Sequence, residues 1–248
     1  MKIIALKYFK DGFMTQGFAF GGSRAKDKIE PVTYRSSLQN FLIDTGKEVI
    51  LIDTGFAKET PVKPRKDDLP LWMGERIATF PEALANAGYK PEQVSKIILT
   101  HKHPDHAGEL RMFPHAKIYV TATEADVMGL TGDNIVRVSF TDGPYKNFAA
   151  SQKVADHLVM LPAPGHTKGN AVAVLEEGGL FYMFQGDVTY CDEALREEEL
   201  SVVFEDLEAA RKTLATVRGF VKDNPTVYLS THCPEGFENL EQKKVMKL

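Results

Sequence analysis

The chain has 248 residues, 43% of them hydrophobic and 26% charged, with a formal net charge of -4. That supplies a full core for one α/β domain, read here as residues 1–248, and it gives no bulk attraction for nucleic acid or an anionic membrane surface. No stretch approaches a membrane span, the apolar run at residues 3–6 is too short for a signal peptide before Lys7 interrupts it, and Cys191 and Cys233 are too few for a disulfide framework, so the expectation is a cytoplasmic protein.

In chain order, residues 2–8 read as a first strand, and the aromatic, glycine-rich residues 13–22 as a strand or a loop lying over a cleft. Residues 40–44 and 49–53 flank Thr45, Gly46, Lys47 and Glu48, the signal of a hairpin. Residues 58–70 are a polar, proline-bearing loop whose charges, Lys63, Arg65, Lys66, Asp67 and Asp68, form a solvated face. Leu71, Trp72 and Met73 then appear abruptly and suit either a core or a cover over substrate. A helix over 80–87 ends at Gly88, a helical turn covers 91–94, and a strand covers 96–99. Residues 106–112 read as the next helix, with His106 near its positive end, followed by a strand at 117–120 and a helix at 123–130 with a capping signature. Strands at 158–161, 171–175 and 180–184, an acidic stretch at 193–199, a helix at 206–221 and a last strand at 226–230 complete the pattern. Strand-rich beginnings joined to helices in both halves predict an α/β fold of two mixed sheets packed face to face with helices outside.

The chemistry concentrates where apolar runs end. Thr100, His101, Lys102, His103, Pro104, Asp105 and His106 follow the run at 97–99, and four donors so close together cannot all face one way on a helix or strand. They predict a loop that turns its donors inward from the end of a buried strand. A bare His-x-His is most often structural, but Asp105 and His106 beside it, with further donors downstream, favour a metal site. Imidazole suits zinc, iron, nickel and copper, and an adjacent carboxylate widens the range to manganese. His166, in the tight-turn sequence Pro164, Gly165, His166 and Thr167, Asp187 after the run at 180–184, and His232 after the run at 227–231 each repeat the arrangement. Together these seven side chains are enough for two cations held close together, with one carboxylate available to bridge them. His115 and His157 stand outside the pattern and are assigned to structure, and Cys191 and Cys233 to packing.

Taken with Leu51, Ile52, Asp53, Thr54 and Gly55, this series resembles the motifs of the metallo-β-lactamase superfamily, in order and over nearly the whole chain. The resemblance implies the αββα sandwich of that family. It also implies that His101, His103 and His166 hold one metal, that Asp105, His106 and His232 hold the other, and that Asp187 bridges them. Asp53 would orient the ligands by hydrogen bonding; its plainer reading is a turn aspartate. Two divalent ions, zinc first and iron or manganese as alternatives, would make hydrolysis the expected reaction, by water activated between them. Consistent with that, the chain has no Gly-x-Ser-x-Gly elbow. Asp105 would pass a proton to the departing alkoxide.

Tyr190, three positions after Asp187, is similar to the tyrosine that hydrogen bonds the substrate in N-acyl homoserine lactonases, where it would act as an oxyanion donor. The expected substrate is therefore a small molecule, a lactone or another ester, with Phe13, Met14, Leu71, Trp72 and Met73 as a candidate acyl-chain pocket. The competing readings are a thioester hydrolase of the glyoxalase II type, which carries a helical substrate domain around its last histidine, and a persulfide dioxygenase using one iron on three of the donors.

Overall fold

The computed structural model of the chain describes residues 1–20, 32–66 and 68–248, so residues 21 and 22 of the stretch over 13–22, and Asp67, lie outside the described residues. The first half runs β1 (Lys2–Thr15), α1 (Gln16–Ala19), β2 (Thr33–Asp44), β3 (Val49–Ile52), β4 (Leu71–Arg76), α2 (Phe80–Asn86), β5 (Val94–Ile98), α3 (Pro104–Ala107), β6 (Lys117–Thr121), α4 (Ala122–Met128) and β7 (Ile135–Val138). The second half runs β8 (Gln152–Ala155), β9 (Leu158–Pro162), β10 (Ala171–Glu177), β11 (Leu180–Phe184), α5 (Asp192–Arg196), α6 (Leu207–Asp223), β12 (Thr226–Leu229) and α7 (Glu235–Gln242).

The strands form a seven-stranded sheet in the order β4-β1-β2-β3-β5-β6-β7 and a five-stranded sheet in the order β12-β11-β10-β9-β8. Both are mixed. In the first, β1, β2 and β3 are antiparallel and β3, β5, β6 and β7 parallel; in the second, only β11 and β12 run parallel. Alternation of side chains along each strand sorts the apolar residues into layers. Leu38 and Leu42 of β2 join Leu51, Ile97 and the α2 residues Phe80 and Leu84 on the outer face of the first sheet. Phe41 and Ile43, from the other face of β2, meet Met160, Ala173 and Phe184 of the second sheet between the two. Val172, Val174 and Met183 point outward from the second sheet onto Leu214, Val217 and Phe220 of α6. The result is the helix, sheet, sheet, helix order expected from the sequence.

Several bounds differ from expectation, each for a long-range reason. The first strand continues to Thr15 because β4 pairs with its far half, Phe13 opposite Trp72 and Met14 opposite Leu71. That approach needs glycine: Gly74 sits at φ +110, where an added Cβ would run into the Lys10 carbonyl. Leu71, Trp72 and Met73 are thus a half-buried edge strand. The helix expected over 106–112 is instead the single turn α3 and a separate 3-10 turn at Leu110–Met112. Gly108 lies between them, packed so tightly against the backbone of residues 55–57 that no side chain fits there. His106 consequently sits in the last turn of α3, away from a positive helix end. Among the described residues, no helix is long and apolar enough to cross a membrane.

Candidate metal centre

Asp53, His101, His166, Asp187 and His232 follow the C-terminal ends of β3, β5, β9, β11 and β12 respectively. Because β3 runs parallel to β5 and β11 to β12, with β9 returned to the same direction by β10, these ends open along one edge of the sandwich. All seven donors expected from the sequence meet there. His101, His103, His166 and Asp187 form one group and Asp105, His106 and His232 a second, with the ligand atoms of each group within 4.8 Å of one another. His103 and Asp105 are half-buried and mark the open side; the other five are buried.

Three ring nitrogens converge in the first group: His101 Nε2 to His103 Nδ1 is 3.1 Å, His101 Nε2 to His166 Nε2 is 3.2 Å, and His166 Nε2 to His103 Nδ1 is 2.9 Å. A tetrahedral ion with bonds of about 2.0–2.1 Å spaces neighbouring donors by roughly 3.3–3.4 Å, close to these separations. Asp187 Oδ2 lies 3.3 Å from His166 Nε2 and 3.0 Å from His232 Nε2, so one carboxylate oxygen faces both groups. Its Oδ1 is 3.3 Å from His106 Nε2, and His232 Nε2 is 3.4 Å from Asp105 Oδ2. His106 Nε2 and Asp187 Oδ1 are buried without a hydrogen-bond partner among the described residues, the state of ligand atoms aimed at a cation. The donor set therefore fits metal ions.

The outward-facing nitrogens fix the tautomers. His166 Nδ1 donates to the Val203 carbonyl at 3.0 Å, leaving Nε2 with its lone pair toward the centre. Asp53 does the same for two ligands at once. Its Oδ2 accepts from His106 Nδ1 at 2.7 Å and from Thr100 Oγ1 at 2.8 Å, so that hydroxyl, its proton committed, accepts from His101 Nδ1 at 3.0 Å. The Thr100 backbone N–H donates to Asp53 Oδ1 at 2.7 Å. Asp53 holds φ +65, a backbone conformation unusual away from glycine and characteristic of functional turns.

Burial, and then the other imidazoles, holds His101 well below the ordinary imidazole range; burial also lowers His103 and takes His166 down to about 4. These three are neutral at pH 7 and ready to ligate. For His106 and His232 burial acts in the same direction but is outweighed by carboxylates, Asp187 in both cases with Asp53 and Asp105 at His106 and Asp105 at His232, and both are raised. Asp187 is held well below the carboxylate range by His232 and His106 despite its burial.

Tyr190 stands over the centre. Its ring stacks on Phe18 at 5.2 Å and 9° and meets His232 edge-on at 4.8 Å. Burial and the charges of Asp187 and Asp105 push its phenol well above its ordinary value, so it remains a protonated donor. Cys191 and Cys233 are free thiols packed with Tyr190, Met14 and Phe20, and burial raises both, Cys191 to about 12. They are packing residues, as expected. His115 is exposed, its Nε2 on the Pro91 carbonyl, and His157 occupies the turn between β8 and β9 at φ +60; both are remote from the donors.

Three contributors were not foreseen: Thr100, Phe18 and Glu124. Thr100 adjoins the motif, and a hydroxyl next to a ligand is a usable signal. Phe18 lay in the aromatic stretch with nothing to single it out. Glu124 lies inside the helix expected over 123–130 with nothing to single out its carboxylate; that helix in fact begins at Ala122, capped by Thr121.

The metallo-beta-lactamase superfamily model matches residues 39–232. A probable metallo-hydrolase of Mycobacterium tuberculosis is 26% identical over 216 residues, spanning 77% of this chain and 68% of that protein. An N-acyl homoserine lactonase of Bacillus cereus is 24% identical over 216 residues, spanning 84% and 83%. The crystal structure of a B. thuringiensis AiiA variant with N-decanoyl-L-homoserine bound at its active site superposes with a TM-score of 0.71 at 19% identity, over 96% of this chain and 95% of that one. With this match over most of its length, and with the family's fold and donor cluster both present, the chain belongs to the metallo-β-lactamase superfamily as one of its metallo-hydrolases.

Proposed function

We propose that residues 1–248 act as one domain that binds two divalent metal ions, zinc first, and opens the ring of a lactone, with N-acyl homoserine lactones or related lactones as the leading substrates. The observation that carries this reading is Tyr190 beside a donor set in which Asp187 faces both groups. His101, His103 and His166 would hold one ion, Asp105, His106 and His232 the other. When bound, such a pair would polarise a carbonyl and lower the pKa of water.

The protein's own residues do the rest. Asp53 keeps His101 and His106 presenting their Nε2 atoms. Tyr190, held flat against Phe18, donates to the carbonyl oxygen as negative charge grows there. Asp105, half-buried on the open side, carries a proton to the ring oxygen as it leaves. A cavity of about 200 Å³ lined by Phe56, Pro61, Val62, Leu71, Trp72 and Met73 suits an apolar acyl tail, and Leu71 connects it to the cluster containing Tyr190. Of the acyl-pocket residues expected from sequence, Phe13 instead backs Trp72 at 6.1 Å, and Met14 is fully buried beneath Tyr190.

Tyr190→Phe tests the reading. It keeps the ring stack and both ions while removing the donor, and lactone turnover should fall by about 10²–10³-fold, as for a lost oxyanion donor. Full activity of that variant across lactones of short and long acyl chain would refute the lactonase assignment. Wild-type turnover of thioesters, β-lactams or phosphodiesters in preference to lactones would redirect it.

A further inference from the structure

Two carboxylates outside the donor set tie its two main loops together. Glu124, fully buried near the start of α4, accepts the Lys102 backbone N–H on Oε2 at 2.8 Å and the Gly169 N–H on Oε1 at 2.8 Å. Lys102 stands between His101 and His103, and Gly169 ends the turn that carries His166. Glu205 repeats the connection from the surface: Lys102 Nζ reaches its Oε1 at 2.5 Å, and the Lys168 N–H donates to its Oε2 at 2.9 Å. Glu205 also donates its own N–H to the Gly165 carbonyl at 2.8 Å, and Thr121 Oγ1 donates to the Gly169 carbonyl at 2.8 Å. No space is left for adjustment at the buried member, since a Cβ on Gly169 would stand 2.5 Å from Thr121 Oγ1 and 2.7 Å from Glu124 Oε1.

We propose that Glu124 and Glu205 are positioning residues that lock the loop of His101 and His103 to the loop of His166, and so set the geometry and affinity of one of the two ions. Among the described residues, the hydrogen bonds of both carboxylates go to groups beside the donors and not to a donor side chain. Glu124 accepts a backbone N–H beside the ligands on each loop, whereas Glu205 accepts the Lys102 ammonium on one loop and the Lys168 backbone N–H on the other. A buried carboxylate committed to two such bonds is costly unless both are made, so the loops either close together on Glu124 or leave it unsatisfied. His106, Asp105 and His232 are outside this clamp, with His106 held by Asp53. The effect is therefore confined to the ion held by His101, His103 and His166. This inference rests on the two-ion reading of the site.

The test loads wild type, Glu124→Gln and Glu205→Gln with zinc, determines stoichiometry by elemental analysis, follows chelator competition, and records the melting temperature of each metal-free protein. In Glu124→Gln one ion should weaken by about 10–100-fold while the other keeps its wild-type affinity, because one of two buried acceptors has been replaced by a donor. Glu205→Gln, half-exposed, should weaken the same ion by about 2–5-fold. Unchanged affinities for both ions, equal loss of both, or a lower melting temperature of the metal-free variant with affinities intact would each overturn the clamp. If Glu124→Gln does not fold, Glu205→Gln decides by the same criteria. A wild type that holds one ion overturns the two-ion reading instead, and the clamp then stands only if that ion weakens in the variants.

Discussion

Asp192→Asn isolates a single buried charge. Asp192 opens α5 with 2% of its surface exposed; its Oδ2 accepts from Asn239 Nδ2 at 2.9 Å and lies 3.6 Å from Arg196, while its Oδ1 has no hydrogen-bond partner among the described residues. Burial, with a smaller push from Glu235, raises its carboxyl from the ordinary 3.8 to about 6. A carboxyl whose folded value lies above its unfolded one costs nothing below the unfolded value. Its penalty grows as pH rises from near 4 and is complete above the folded value. A difference of about 2 pK units at about 1.36 kcal/mol each makes the full penalty about 3 kcal/mol. Asparagine keeps an oxygen for Asn239 and does not ionise, and the attraction of Arg196 for the carboxylate is already contained in that net shift. The variant should therefore be about 3 kcal/mol more stable than wild type at pH 8 and indistinguishable from it near pH 4. Urea unfolding of both chelated proteins at several pH values measures that difference directly. A gain that does not change with pH, or a loss at pH 8, would refute the reasoning.

Asp53→Asn replaces the acceptor shared by His106 and Thr100 with a donor, and should weaken metal binding by about 10–100-fold in a chelator competition without altering the strand ends that carry the ligands. Zinc binding should release protons and weaken as pH falls, because His106 and His232 are raised and must lose a proton to ligate, whereas His101, His103 and His166 are lowered and already neutral; calorimetry in buffers of different ionisation enthalpy measures that proton release. Asp187→Ala should abolish turnover and leave fewer than two ions per chain by elemental analysis, since its Oδ2 faces both groups.

The donors were legible because each follows an apolar run, and a buried strand has few places to put a histidine except at its end. The hairpin β2–β3 and the helix α6 were legible for a similar reason, since their signals lie within a few residues: a Thr45–Gly46 turn in one, an Asp206 cap and a repeating apolar face in the other. Elements held by distant contacts were not. β7 and β8 are four residues each, too short for a clear alternation, and exist because β6 and β9 offer them an edge. α5 and α7 are short helices fixed by burial, Leu195 in one and Asn239 in the other, more than by propensity. Glu124 shows the limit most clearly. The helix expected from Thr123 begins instead at Ala122, its cap Thr121 accepting the Glu124 N–H at 3.4 Å, and the Glu124 carboxylate leaves that helix for two loops brought to it by the fold.

The division of charge among the five histidines of the donor set follows from where the carboxylates stand. Three imidazoles crowd one another in the first group, so protonating any of them is opposed by burial and by its neighbours. The second group faces Asp53, Asp105 and Asp187, of which Asp187 is 2% exposed and has an oxygen without a hydrogen-bond partner among the described residues. A buried carboxylate in that state needs positive charge nearby, and in the metal-free protein His106 and His232 supply it by holding protons. A cation supplies the same charge with better geometry and displaces those protons. The metal-free fold is consequently charge-compensated for as long as those two protons are held. Above the raised values of His106 and His232 that compensation is withdrawn, so the metal-free protein loses stability as pH rises through them, in the range where loading with metal is most favourable.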